Sequence, residues 1–345
     1  MTVLTMPAQP GQQTDAAPRP VPWRRMVWVT WRQHRATFIS VPTVLAAAAV
    51  VLVIFGLRAH QDYAVLINCP LDPGKQSQTC SRMMNDFNST YWPLANVCSL
   101  LMQLAPVLLG AFAGAPLLAR ELETGTFRYA WTQGFGRERQ AIAKLALLGV
   151  TLTVLAWAFS ELFSWFFQPF LYVEQMNQMS TESVFVTRGL VFPAFTLVSF
   201  AIGAFLGMLF RRIIPAMAAT LGAYLLLQLL AWGVRGQYPL TVVTSNAQQF
   251  AAYGTPGQPG FPWILSTWVT GPGGKPASQA VLSRVMDSLG GGNQVVSVPK
   301  GYTLWTRFFP PSNFWPMQFI EAGWLLVLAV AFAAAAVWLV RRRAA

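Results

Sequence analysis

The sequence predicts an all-α integral membrane protein with six transmembrane helices, and three observations carry that expectation. Of 345 residues, 54% are hydrophobic and only 10% are charged, whereas a soluble domain carries about 25% charged residues. Six apolar stretches are long enough to cross a bilayer, which takes about 20 residues for ~30 Å of hydrocarbon. The main arginine clusters between and beyond those stretches all fall on one side if both termini are cytoplasmic.

The spans run at approximately 37–57, 94–119, 141–167, 190–210, 213–233 and 319–340. The fourth and fifth are separated by the Arg211-Arg212 hinge, with Pro215 in the first turn of the next helix, where proline is accepted. Residues 1–20 are rich in Pro, Gln, Ala and Thr and lack the basic start and apolar run of a signal peptide. They read as a disordered cytoplasmic tail, and 21–345 as one transmembrane domain.

Before the first span, Trp23, Met26, Val27 and Thr30 share one helical face, with Trp31 at its edge. Arg24, Arg25, Arg32 and Arg35 share the other, with Trp28 among them. That pattern predicts an N-terminal helix lying in the membrane interface. Three loops face outward, at about 58–93, 168–189 and 234–318. The last is long enough for a small folded cap. It contains an amphipathic helix at 277–289, with Val281, Val285 and Leu289 on one face. Its aromatic, proline-broken end at 308–316 reads as a bent or re-entrant segment at the outer headgroup level.

The net charge is +12. Because the arginines cluster at span ends, they suit anchoring against anionic membrane lipid. No basic stretch with interleaved aromatics stands free of a span, so no nucleic-acid partner is expected. Of three cysteines, Cys69 and Cys80 share the first outward loop and Cys98 lies near the second span. Because that loop reads as facing the oxidising side, Cys69 and Cys80 are expected to be joined by a disulfide, the alternative being three free thiols. Their spacing is no zinc pattern, His34 and His60 are the only histidines, and no metal site is expected.

The most informative segment is Arg120-Glu121-Leu122-Glu123-Thr124-Gly125-Thr126, between the second and third spans. Read as the start of a loop helix, it places both carboxylates in the first turns, where the dipole favours them. Gly125 marks a turn, and Phe127, Trp131 and Phe135 recur every four residues as an apolar ridge. The segment has no nucleophile, metal ligand or phosphate cradle. Its chemistry suits receiving force from a soluble partner, unless it is a solvated linker packed on its own spans.

This layout resembles the membrane subunits of ABC exporters of the ABCG-like, type V class. Their loop between spans two and three typically reads Arg-Glu, one residue, Glu, one residue, Gly-Thr, then Pro or Gly, a basic pair and a Lys opening span three. Here those places hold Arg120-Glu121, Glu123, Gly125-Thr126, Gly134, Arg137, Arg139 and Lys144. Tyr129-Ala130-Trp131 departs from the usual leucine pairs, and Gly134 from the usual proline. The run from Gly114 to Glu121 and the ending Val340-Arg341-Arg342-Arg343 look like a subgroup common in high-GC actinobacteria.

The resemblance implies a permease domain over 21–345 in a bacterial plasma membrane, with a cytoplasmic coupling helix in which Glu121, Glu123, Gly125, Thr126, Phe127 and Trp131 meet an ABC ATPase. It implies two ATPase copies, which bind ATP and Mg, and a second permease copy in a homodimer or heterodimer. This chain itself should hold no cofactor and be no enzyme. A phosphate-binding loop needs Gly, four residues and Gly-Lys-Ser/Thr. At Gly274-Lys275 the next residue is Pro276, and Val269 stands where the first glycine belongs. In the resembled class, spans two and five line the path, which makes Gln103, Phe112 and Gln228 path candidates. An aromatic, sparsely charged path suits a hydrophobic or amphipathic small molecule, such as an antibiotic, drug or lipid-like compound.

Glu161 interrupts span three. It is either a structural hydrogen-bond former or, in an alternative function, the proton relay of a secondary transporter; no inverted repeat supports the latter. Gly110-Ala-Phe-Ala-Gly114 and Gly203-Ala-Phe-Leu-Gly207 carry a small-residue pattern that permits close helix packing.

The arginine placement yields a topological prediction. Single cysteines introduced in 255–300 react with an impermeant maleimide on intact cells, and cysteines in 120–144 do not. The opposite labelling pattern reverses the orientation.

Overall fold

The computed structural model describes residues 23–69, 77–125, 137–173, 182–245, 263–290 and 299–343. Its helices are α1 (Trp23–Leu66), α2 (Gln78–Leu109), α3 (Ala115–Glu123), α4 (Arg137–Val173), α5 (Glu182–Thr187), α6 (Val191–Phe210), α7 (Ile213–Arg235), α8 (Gln279–Gly290) and α9 (Phe314–Arg343). A π-helical turn, Gly110–Gly114, joins α2 to α3 without interrupting the rod. Among the described residues, six helical rods are long and apolar enough to cross a membrane. The chain is therefore an all-α multi-pass membrane protein in its spanning part.

The rods exceed the expected spans. Helix α1 runs unbroken in direction from Trp23 except at His34, whose φ of −111° and ψ of 20° mark a kink. The expected interfacial helix is thus continuous with the first span. The stretch at 58–93, expected to be a loop, is mostly helix: α1 continues to Leu66, and α2 starts at Gln78 behind a Ser77 cap whose hydroxyl accepts from the Cys80 amide at 3.2 Å. Polarity alone suggested a loop there, but the two helices of this hairpin are joined to each other. The Tyr91 hydroxyl donates to Asp62 at 2.6 Å, and the Cys69–Cys80 disulfide clasps the tip with Cα atoms 5.8 Å apart. Cys98 is free.

Helix α6 is the centre. Of its apolar window, 83% is buried, against 11% for α1. Helices α2, α3, α4, α5, α7 and α9 and the π turn all pack on it. The reason lies in four glycines. A Cβ on Gly203 would sit 2.2 Å from the Gly110 carbonyl oxygen, and one on Gly207 2.3 Å from that of Ala115. Reciprocally, a Cβ on Gly110 would meet the Ser199 oxygen at 2.6 Å, and one on Gly114 the Phe200 oxygen at 2.5 Å. The two small-residue patterns seen in the sequence therefore face each other, backbone against backbone. In lipid, where tails solvate apolar side chains as well as a neighbouring helix does, such close approach is a main source of association.

Polar side chains stitch the end of the bundle where α6 begins. Gln318 on α9 accepts from the Leu190 and Val191 amides, both at 2.9 Å, and donates to the Phe185 carbonyl at 3.0 Å. It thereby caps the N-terminus of α6 and holds α5. Ser160 on α4 donates to the carbonyls of Thr187 and Gly189.

The described parts of the long segment between α7 and α9 form a small sheet and a helix. Strands β1 (Val242–Thr244), β2 (Trp263–Thr270) and β3 (Thr303–Phe309) form an antiparallel sheet in the order β1-β3-β2. The amphipathic helix is present as α8, with Val285 fully buried. The expected re-entrant segment is not formed. Residues up to Phe309 are strand, Pro311–Asn313 is one 3-10 turn, and α9 begins at Phe314. Thr303–Phe309 is rich in β-formers and finds two strand partners, so pairing wins over bending into the membrane. The Trp263 and Phe309 rings lie tilted with centres 5.7 Å apart and pack against the core through Phe185.

Gly222 on α7 meets nothing within 4 Å of an added Cβ. Gly203→Ala should therefore lower the thermal midpoint in detergent by several degrees, overpacking costing about 1–3 kcal/mol. Gly222→Ala should leave it unchanged or raise it, since alanine is better in a helix by about 1 kcal/mol. Equal shifts for both would remove the glycine contact as the organising feature.

Candidate functional site

The junction after the second span is built from the end of α3. Gly125, at φ +69°, takes a left-handed turn and ends the helix there. This corrects one expectation. Glu121 and Glu123 lie in the last turn of the span helix, not in the first turns of a new one. At a helix C-terminus the dipole disfavours carboxylates, so each finds a partner on another helix.

Glu121 pairs with Lys144 of α4, whose side chain is 1% exposed while that of Glu121 is 22% exposed. Glu123 reaches α7: its Oε2 accepts the Ile213 amide at 3.0 Å. The carboxylate thus sits at the positive end of a different helix, where it is favoured. The chain enters α7 through a forced geometry. Arg211 takes φ +57°, the one left-handed non-glycine among the described residues, and Arg212 is extended. Thr124 donates to the Arg120 carbonyl at 2.8 Å and closes the turn. Nearby, Arg341 of α9 pairs with Glu138 of α4 at an exposed position. The crevice over the Glu121–Lys144 pair, bordered by Leu122, Gln140 and Met208, holds about 10 Å³. That is room for little more than one water, so the pair joins helices and does not bind a ligand.

Of the expected coupling residues, Glu121, Glu123 and Gly125 are thus together at one end of the bundle. Thr126, Phe127 and Trp131 lie outside the described residues, as does the 1–20 tail. The three path candidates are not joined by hydrogen bonds to one another among the described residues. Gln103 donates back to Ser99 of its own helix at 3.3 Å. Phe112, on the π turn, is 65% exposed. Gln228 donates to the Tyr224 hydroxyl at 3.2 Å, and its buried Oε1 has no partner.

Sequence reasoning missed the ion pair between Arg235, the last residue of α7, and Glu321 in the third turn of α9. It is bidentate, at 2.9 and 2.5 Å, with side chains 2% and 0% exposed. The Arg235 guanidinium also lies 5.0 Å from the Phe185 ring centre. The available signal was an arginine at the end of one span remote from the arginine clusters, with an acid near the start of the next span. Beside it, burial holds the Tyr238 phenol above the usual tyrosine range. Arg188, between α5 and α6, is lowered to about 10 by burial, with the charge of Glu161 acting in the opposite direction, so it stays cationic at neutral pH. Its Nε donates to Ser164 at 3.3 Å. Glu161 itself is exposed on the bundle surface.

Comparison with known families finds one described as ABC-2 membrane transporter related, which matches residues 42–235, more than half of the chain. No curated protein and no solved structure matches.

The unequal burial of Glu121 and Lys144 gives an asymmetric prediction. Glu121→Ala strands a buried ammonium and should cost about 3 kcal/mol. Lys144→Met leaves a carboxylate that water can reach and should cost ~1 kcal/mol. The double variant Glu121→Leu with Lys144→Met should recover most of the loss. Thermal unfolding in detergent measures all three, and equal losses for the two single variants would contradict the burial argument.

Proposed function

Because the chain belongs to the ABC-2 membrane transporter-related family, we propose that it is the permease subunit of an ATP-driven exporter. It forms the path for a hydrophobic or amphipathic compound, with both termini in the cytoplasm of a bacterium, and takes its energy from a separate ABC ATPase. The active unit holds two permeases and two ATPases, with ATP and Mg bound by the latter. The type V arrangement expected from the loop motif belongs to this proposal.

The observation that supports it best is how the last turn of the second span, where the loop begins, is tied. Through Glu121–Lys144 and Glu123–Ile213, the end of the second span is bonded to the starts of the third and fifth. Force delivered to the loop by a partner is therefore shared among three spans rather than absorbed by a slack tether. The ridge of Phe127 and Trp131 supplies the partner contact. Nothing in the packing favours a proton-coupled transporter built on Glu161, since that side chain lies exposed on the bundle surface.

The test is co-purification with a candidate ABC ATPase from the same organism, followed by hydrolysis in reconstituted vesicles. Phe127→Ala with Trp131→Ala should weaken association about thirtyfold or more, the scale of losing an aromatic anchor worth ~2 kcal/mol. Membrane insertion should be intact. Unchanged association and hydrolysis in that variant would sink the coupling role of the loop.

A further inference from the structure

The described surface carries an apolar groove with charge at one end. It runs between α4 and α9 and encloses about 510 Å³. Ile142, Leu145 and Ala146 form one wall, and Ala333, Ala334 and Val337 the other. The alanines hold the groove open, because longer side chains at those places would close it. Its α9 wall runs from Val330 to Arg341. At 1.5 Å per residue that is about 16 Å, close to half of the ~30 Å hydrocarbon thickness. The groove is therefore one leaflet long.

Its mouth is cationic. Arg341 lines it and is 62% exposed. Arg342 lies 4.5 Å from the Trp338 ring centre, and Trp338 is half exposed beside the groove. Arg139, one helical turn before Ile142, is exposed. Glu138 is the acid at this rim, and Arg341 already occupies it. An indole with arginines at the level where a span ends is the arrangement that meets headgroups.

We propose that this groove holds one anionic phospholipid of the arginine-side leaflet, with an acyl chain between α4 and α9 and its phosphate on Arg341 and Arg342. Length, apolar lining and a mouth with more arginines than acids agree on this occupant. A polar solute would find no partner below the rim. A second copy of the chain would need to bring either an acid to the mouth or a helix ridge narrow enough for the alanine floor. The inference rests on the chain crossing a membrane and not on the transport reading, so the two can fail separately.

The full-length protein is reconstituted into vesicles containing phosphatidylglycerol or phosphatidylcholine, each with the same photoactivatable acyl chain. Cross-linked peptides should map to 142–146 and 333–338, with phosphatidylglycerol favoured. Arg342→Gln, at an exposed position that does not disturb packing, should reduce that preference about fivefold, the scale of one surface cation facing anionic lipid. Ala334→Trp should abolish labelling at 142–146 while leaving labelling elsewhere unchanged. Labelling spread evenly over the spans, or equal labelling by the two lipids, would overturn the proposal. So would efficient disulfide formation between Ala334→Cys residues of two copies, because the groove would then be covered by protein.

Discussion

The approach of two backbones at Gly110, Gly114, Gly203 and Gly207 governs the rest of the structure. A carbonyl cannot come that near a helix that carries side chains at the contact, so α6 can be central only because these positions are bare. Once α6 is seated, the surrounding rods have a common reference. The π turn serves the same contact: it lets two glycines four apart face α6 while Phe112 between them points away. Wider helical turns of this kind tend to occur where a helix does something other than span.

Around that apolar centre, the polar bonds are distributed by end. At the end where α6 begins, Gln318 and the Arg235–Glu321 pair tie α9 to α5, to the start of α6 and to the finish of α7. At the arginine-bearing end, Glu121 and Glu123 tie α3 to α4 and α7. Between the ends, the core clusters are almost wholly aliphatic and aromatic. Helix α7 is held at both of its ends by carboxylates from other helices. Its own flanks are largely exposed, with Leu225, Leu229 and Trp232 facing outward. It is thus positioned by its termini more than by its sides.

Much of this was legible in the sequence, and the limits have physical causes. All six spans were visible because apolar length is a one-dimensional property. The glycine patterns were recognisable as packing surfaces, although which faced which depends on three-dimensional order. Cys69 and Cys80 could be paired only conditionally, because compartment is not written in spacing. The acids of the loop were placed at the wrong end of a helix, since the left-handed turn at Gly125 decides where the helix stops. The strand ending at Phe309 was hidden because its pairing partners lie far away in sequence. Arg235 and Glu321 went unnoticed as single charges at span ends; only proximity turns them into a buried pair. Phe127 and Trp131 stay where the sequence left them, as a ridge defined by spacing.

The burial difference between two arginine–carboxylate pairs has a consequence for how the molecule responds to its solvent. Counterions at physiological strength screen charges beyond about 8 Å in water but hardly reach a dry interior. Arg341–Glu138 stands in the solvent's reach, with side chains 62% and 37% exposed, whereas Arg235–Glu321 is sealed. Added salt therefore loosens the link between α4 and α9 at one face of the membrane and leaves the link between α7 and α9 at the other untouched. The last helix is consequently a rod with one permanent fastening and one that ionic strength adjusts.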